Sequence, residues 1–209
     1  MFPTDTLLAY LAAVIIVVFA PGPDNILAIS RGLSQGRLAA ALSSVGAGLG
    51  IMVHTVAATL GLTLIIQASP VAFWAVKLAG AAYLLWLGFK ALASHDLISF
   101  KPAAKLPLAK VFGVGLFSNV LNPKPGLFVL AFIPQFVDAG RGSVPVQMLG
   151  YGAIFAGLTA LIFSILGAFA SRLSGWLARR PRAKVWLNRG AGATFIASGL
   201  SILALGNRR

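Results

Sequence analysis

Apolar residues fall in long runs separated by short polar connectors, and two of those runs are interrupted by proline and glycine. Six apolar segments can be marked, at about Asp5 to Ser30, Leu38 to Ile66, Val71 to Leu92, Val111 to Val137, Val146 to Ala170 and Ala191 to Leu205. A helix needs roughly 20 such residues to cross a bilayer. The pattern therefore predicts an all-α polytopic membrane protein with six transmembrane helices, the sixth being the shortest. Thr4 or Asp5 is placed to cap the first helix.

The first segment is apolar from Leu7 to Ala20 except for Tyr10, and resumes at Ile26-Leu27-Ala28-Ile29. Between these stands Pro21-Gly22-Pro23-Asp24-Asn25, whose prolines remove helix hydrogen bonds and clash with the preceding turn. The fourth segment carries a counterpart, Asn122-Pro123-Lys124-Pro125, with its Pro-x-Pro 102 residues after the first. Interrupted spans at matching places in two halves of a chain point to the binding site of a secondary transporter. The chain divides as 1–93 and 111–209, joined by a cytoplasmic loop at 94–110, within one transmembrane transporter domain. Three spans per half would insert the second half upside down. The expected architecture is thus a 3+3 inverted repeat whose broken first and fourth helices meet near the membrane midplane.

Composition supports a membrane location. Hydrophobic residues make up 58% of the chain and charged ones 10%, with a mean hydropathy of +0.90. A soluble domain carries about 25% charged residues. The net charge of +13 would suggest nucleic acid in a soluble protein, but topology explains it here. Arg31, Arg37, Lys90, Lys101, Lys105 and Lys110 lie in the first and third connections, and six more basic residues lie between Arg172 and Arg189. The alternate connections hold only Arg141, against Asp138. Basic loops face the cytoplasm, so both termini are expected outside, with Arg208 and Arg209 a minor opposing term. No basic residue precedes the first apolar run, so it is expected to remain as an uncleaved span. The basic segment Ser171 to Asn188, with Trp176 and Trp186, fits an amphipathic stretch on the anionic inner leaflet.

The residue inventory excludes several chemistries. Cysteine and glutamate are absent, and two histidines with four aspartates offer no metal cage, so no metal or cofactor is expected. The chain has no GxxxxGK[ST] or HExxH motif and no persuasive catalytic pair, which argues against an ATP-driven pump and against an enzyme.

Asp24 and Lys124 are the charges nearest the middle of the membrane. Such charges cost about 2.5–3.5 kcal/mol each on insertion scales, so they pair or they function. Two readings stand: an ion pair pinning the first span to the fourth, or a site for a substrate's ammonium and carboxylate. Freed half-helix ends would assist, offering an N-terminus to carboxylate and carbonyls to ammonium. The candidate translocation residues are Pro21, Gly22, Pro23, Asp24, Asn25, Asn122, Pro123, Lys124, Pro125 and Gln135. Asn25 and Asn122 could instead serve the broken backbone, and Gln135 could cap it. His54 is either a hydrogen bond between helices or a relay. Gly46 and Gly50 form a GxxxG pair that suits a homodimer or packing within one chain.

Pro21-Gly22-Pro23-Asp24-Asn25 followed by Ser30-Arg31-Gly32-Leu33-Ser34-Gln35-Gly36-Arg37 resembles the opening signature of the LysE/RhtB family of amino-acid exporters. Lys77 to Lys90 is similar to that family's KxxGAxYLxxLGxK pattern, as are Asn122-Pro123-Lys124-Pro125 and Ala131-Phe132-Ile133-Pro134-Gln135-Phe136. The resemblance implies a bacterial inner-membrane exporter of amino acids driven by the proton motive force. It also implies that both breaks belong to the substrate path. Distant relatives that carry electrons use a cysteine pair, which this chain lacks. With Asp24 as the one buried acid, a small neutral amino acid such as threonine, homoserine or leucine is favoured over lysine or arginine. A channel or cation permease on the same fold is the alternative.

Overall fold

Helices form every regular element among the described residues of the computed structural model, which are 3–20, 22–68, 70–93, 102–170, 172–173, 176 and 179–204. An apolar chain in lipid requires this, because a helix satisfies each backbone N–H and C=O within its own segment. The elements are α1 (Thr4–Phe19), α2 (Pro23–Gln35), α3 (Arg37–Ala68), α4 (Pro70–Ala93), α5 (Leu108–Val120), α6 (Pro123–Phe132), α7 (Val144–Ala168) and α8 (Pro181–Ala204). Two short 3-10 turns, Ile133–Phe136 and Ala139–Arg141, follow α6.

Both expected breaks are present. The α1–α2 pair bends by 59°, and α5 bends by 53° from α6 and its 3-10 extension. Pro23 and Pro123 occupy the first turns of α2 and α6, where a missing N–H costs nothing. The Pro-x-Pro motifs are therefore not the equivalent points. Pro23 matches Pro123 as a helix start, and Asp24 matches Lys124 as the second residue, a shift of 100 residues rather than 102. Neither Thr4 nor Asp5 caps α1; Pro3 stands at its N-cap without a side-chain bond. Gly36, with φ of +82°, ends α2 in a conformation that favours glycine and lets α3 begin at once.

α3 is the central element, packed on α7 along one side and on α5 along another. α2, α4 and α6 also touch it, while α4 and α8 form a second closely packed pair. Gly46 and Gly115 allow the α3–α5 approach: an ideal Cβ at Gly46 would lie 2.4 Å from the Phe112 carbonyl oxygen, and one at Gly115 would lie 2.2 Å from that of Ser43. The Gly46–Gly50 pair is thus used inside the chain, with Gly50 facing Asn119 of α5.

Polarity is distributed as lipid dictates. Leu60, Phe117, Leu121 and Leu161 are exposed, whereas Ser44, Thr55, Asn119, Gln147 and Thr159 are buried. An aromatic cluster of Tyr10, Phe128, Phe132, Phe136, Tyr151 and Phe155 fills the core beside the breaks, with the Tyr10 hydroxyl donating to the Tyr151 carbonyl at 2.6 Å.

By length and composition, residues 37–61 and 144–168 could each cross a membrane, and the count rises to four if each bent pair is one span. α4 and α8 fall at the positions expected for the third and sixth spans. α8 begins at Pro181, ten residues before the expected start of the sixth segment, so the basic stretch leads into the helix rather than ending before it.

Candidate functional site

The two breaks clasp each other. Asp24 stands in the first turn of α2, where its charge suits the positive end of the helix. Its side chain crosses to the other break: Oδ1 accepts from Ser118 Oγ at 3.0 Å, and Oδ2 accepts from Asn119 Nδ2 at 2.8 Å and Asn122 Nδ2 at 2.9 Å. Lys124, in the first turn of α6, reaches the opposite way. Its Nζ donates to the Ala20 carbonyl at 2.9 Å, at the negative end of α1, and lies 5.4 Å from the centre of the Phe195 ring of α8. Each second half-helix thus sends its charged second residue to the end of the other's first half-helix.

Local capping holds these charges in place. Asn122 caps α6, with Oδ1 accepting from the Lys124 backbone N–H at 3.1 Å. Asn25 spans the first break, accepting from Gly22 N–H at 2.9 Å and donating to the Ala20 carbonyl at 3.0 Å. Both asparagines therefore serve the backbone, and Asn122 also binds the carboxylate. His54 Nε2 lies 3.0 Å from the Asn119 carbonyl; an oxygen acceptor there means that Nε2 carries the proton. The imidazole links α3 to the last turn of α5, with its other edge against Gly126.

Asp24 and Lys124 make no direct ion pair; among the described residues, the ion pair within 4.0 Å is Arg141–Asp138. They line one cavity instead, together with Gly22, Asn25, Asn119, Asn122 and Pro125. Its other wall is apolar: Val17 and Val18 of α1, Ile51 of α3, and Phe155 and Phe163 of α7 flanking Thr159. The free space is about 20 Å³, room for a water molecule but not an amino acid.

Gln135 lies apart from this cavity, donating to the Ala131 carbonyl at 2.9 Å from the 3-10 turn after α6. Pro21 lies outside the described residues. The sequence reading did not single out Ser118, Asn119, Thr159 or Phe195. Ser118 and Asn119 left a signal, as the only polar side chains between Lys110 and Asn122. Phe195 left none, because its role comes from where α8 packs.

At the far end of α2 the chain is strapped down. Arg31, buried, donates from Nη1 to the Ala104 carbonyl. Gln35 makes a two-way bond with Leu106, Nε2 to O at 2.8 Å and N to Oε1 at 3.0 Å. Ala103 N–H donates to the Ser30 carbonyl at 3.3 Å. Gln35→Ala removes two of these bonds, and at about 0.5–1.5 kcal/mol each the strap should open roughly fivefold to a hundredfold more often. The chain has no cysteine, so Leu106→Cys can be labelled without background. Faster thiol labelling of Leu106→Cys in the Gln35→Ala background is the expected result, and an unchanged rate would show that the strap is held elsewhere.

Comparisons with known proteins place the chain among membrane proteins. An uncharacterized membrane protein of Vibrio cholerae is 30% identical, over 92% of this chain and 94% of its own length. A homoserine/homoserine lactone efflux protein of Salmonella typhi is 28% identical over 91% and 92%, respectively. A leucine efflux protein of Enterobacter sp. is 31% identical over 78% and 80%. No solved structure matches the chain significantly. The family described as LysE type translocator matches residues 15–206, and the chain belongs to that family.

Proposed function

We propose that this protein exports a small neutral amino acid across the bacterial inner membrane, coupled to the proton motive force. The observation that carries this reading is the pair of opposite charges, Asp24 and Lys124, set on one cavity between two broken helices without neutralising each other directly. A zwitterion has the matching charges: its ammonium would take the Asp24 carboxylate and its carboxylate the Lys124 ammonium. Both groups already have weaker neutral partners that a substrate could replace. Relatives named for homoserine and leucine efflux support a neutral substrate.

In this reading α1–α2 and α5–α6 each form one broken span, α3, α4, α7 and α8 supply four more, and the halves 1–93 and 111–209 form the inverted repeat. The basic connections face the cytoplasm and both termini face outward. The present cavity is too small for substrate, so the conformation is closed, and transport requires the two clasped breaks to part. Asp24 exchanges its bonds to Ser118, Asn119 and Asn122 for a substrate ammonium or a proton.

Cells loaded with dipeptides should release one or two amino acids faster when they carry this protein, and a protonophore should abolish the difference. Release that survives the protonophore would favour a channel. No accelerated release of any amino acid would remove the reading.

A further inference from the structure

The cavity has one polar group on its apolar wall, and that group has no task within the protein. Thr159 is 2% exposed, and its hydroxyl has no hydrogen-bond partner. Helical hydroxyls elsewhere in the molecule do have one: those of Ser44, Thr55, Thr59 and Ser164 each donate to the carbonyl four residues back. Thr159 lies between Phe155 and Phe163, one helical turn from each, and all three line the cavity. Asn119 Oδ1 is also unpartnered, but it packs against Gly50 of α3, where an ideal Cβ would lie 2.7 Å away. A buried hydroxyl without a partner is destabilising, and a bound hydrogen-bonding group would recover that cost.

We infer that Thr159 reads the substrate's side chain and selects neutral amino acids with a hydroxyl on a short side chain over aliphatic ones of equal size. The inference rests on the export reading above. If Asp24 and Lys124 hold the two charged groups of a zwitterion, the side chain is left to the wall of Val17, Val18, Ile51, Phe155 and Phe163, where Thr159 is the one group able to hydrogen-bond it. A site built to bond a hydroxyl discriminates against the analogue that lacks it, whereas a purely apolar pocket discriminates weakly.

The test uses two isosteric pairs, threonine with valine and homoserine with norvaline, delivered as dipeptides to cells carrying the full chain at matched membrane abundance. The wild-type protein should release the hydroxyl member of each pair about threefold to tenfold faster, as a single neutral hydrogen bond allows. Thr159→Val, which keeps the shape and removes the hydroxyl, should bring each pair to near-equal release by slowing the hydroxyl member while the aliphatic one still leaves. Thr159→Ser should retain the preference. Equal release within each pair by the wild type overturns the inference and leaves the export reading standing. A preference that survives Thr159→Val does the same, as does loss of all four substrates in that variant. Release of none of the four or of any other amino acid by the wild type overturns both.

Discussion

Asp24→Asn is expected to lower export by about tenfold to a hundredfold while the protein still inserts and folds, because it weakens the proposed charged hydrogen bond to the substrate ammonium, worth about 1.5–3 kcal/mol, and leaves the protein's own bonds in place. The hydrogen-bond geometry explains why folding survives. In the native site Oδ2 takes both amide donors, from Asn119 and Asn122, and Oδ1 takes the Ser118 hydroxyl. An asparagine can keep its oxygen toward the two amides and turn its Nδ2 toward Ser118, whose hydroxyl rotates to accept. The network stays complete and only the charge is lost. Asp24→Ala is different, since it strands two buried amide donors at about 1–3 kcal/mol each and should reduce the yield of folded protein. Measuring membrane abundance and amino-acid release side by side separates the two effects. Wild-type release by Asp24→Asn would show that the carboxylate is structural only.

The second large effect is on assembly. Gly115→Ala is expected to lower the melting temperature of the purified protein by roughly 2–12 °C, given about 1–3 kcal/mol for overpacking a tight contact. The added methyl would lie 2.2 Å from the Ser43 carbonyl oxygen, a backbone atom that cannot swing aside. α3 and α5 must then move apart, and α5 carries Ser118 and Asn119, so export should fall as well. Gly113→Ala is the control on the same helix: a Cβ there meets nothing within 4 Å, and alanine is the better helix former. Equal melting temperatures for the two variants would mean that the α3–α5 contact is looser than it stands here.

The Gly46–Gly50 motif shows how far a sequence pattern reaches. Small residues at that spacing announce a close helix contact, but not whether the partner is another copy or the same chain. The fold supplies the answer through the Phe112 carbonyl and Asn119, both on α5. Asp24 and Lys124 illustrate the same limit. Their cost in a membrane marks them as paired or functional from the sequence alone. Their partners are another matter, since opposite signs suggest a salt bridge, and the chain instead gives each charge neutral partners on the far break.

The helical class, the places where two helices break and the charges at those breaks were all legible along the chain. Each follows from a local cause: apolar run length, a proline's missing N–H, and the desolvation of a charge. The motifs carried the family as well. Packing of distant segments sets which half-helix ends meet, pairs Asp24 with Lys124 at a shift of 100 residues, and brings Thr159 and Phe195 to the same site. These depend on contacts between residues far apart in the chain, such as Ser118 with Asp24 and Lys124 with Phe195, which no local pattern encodes.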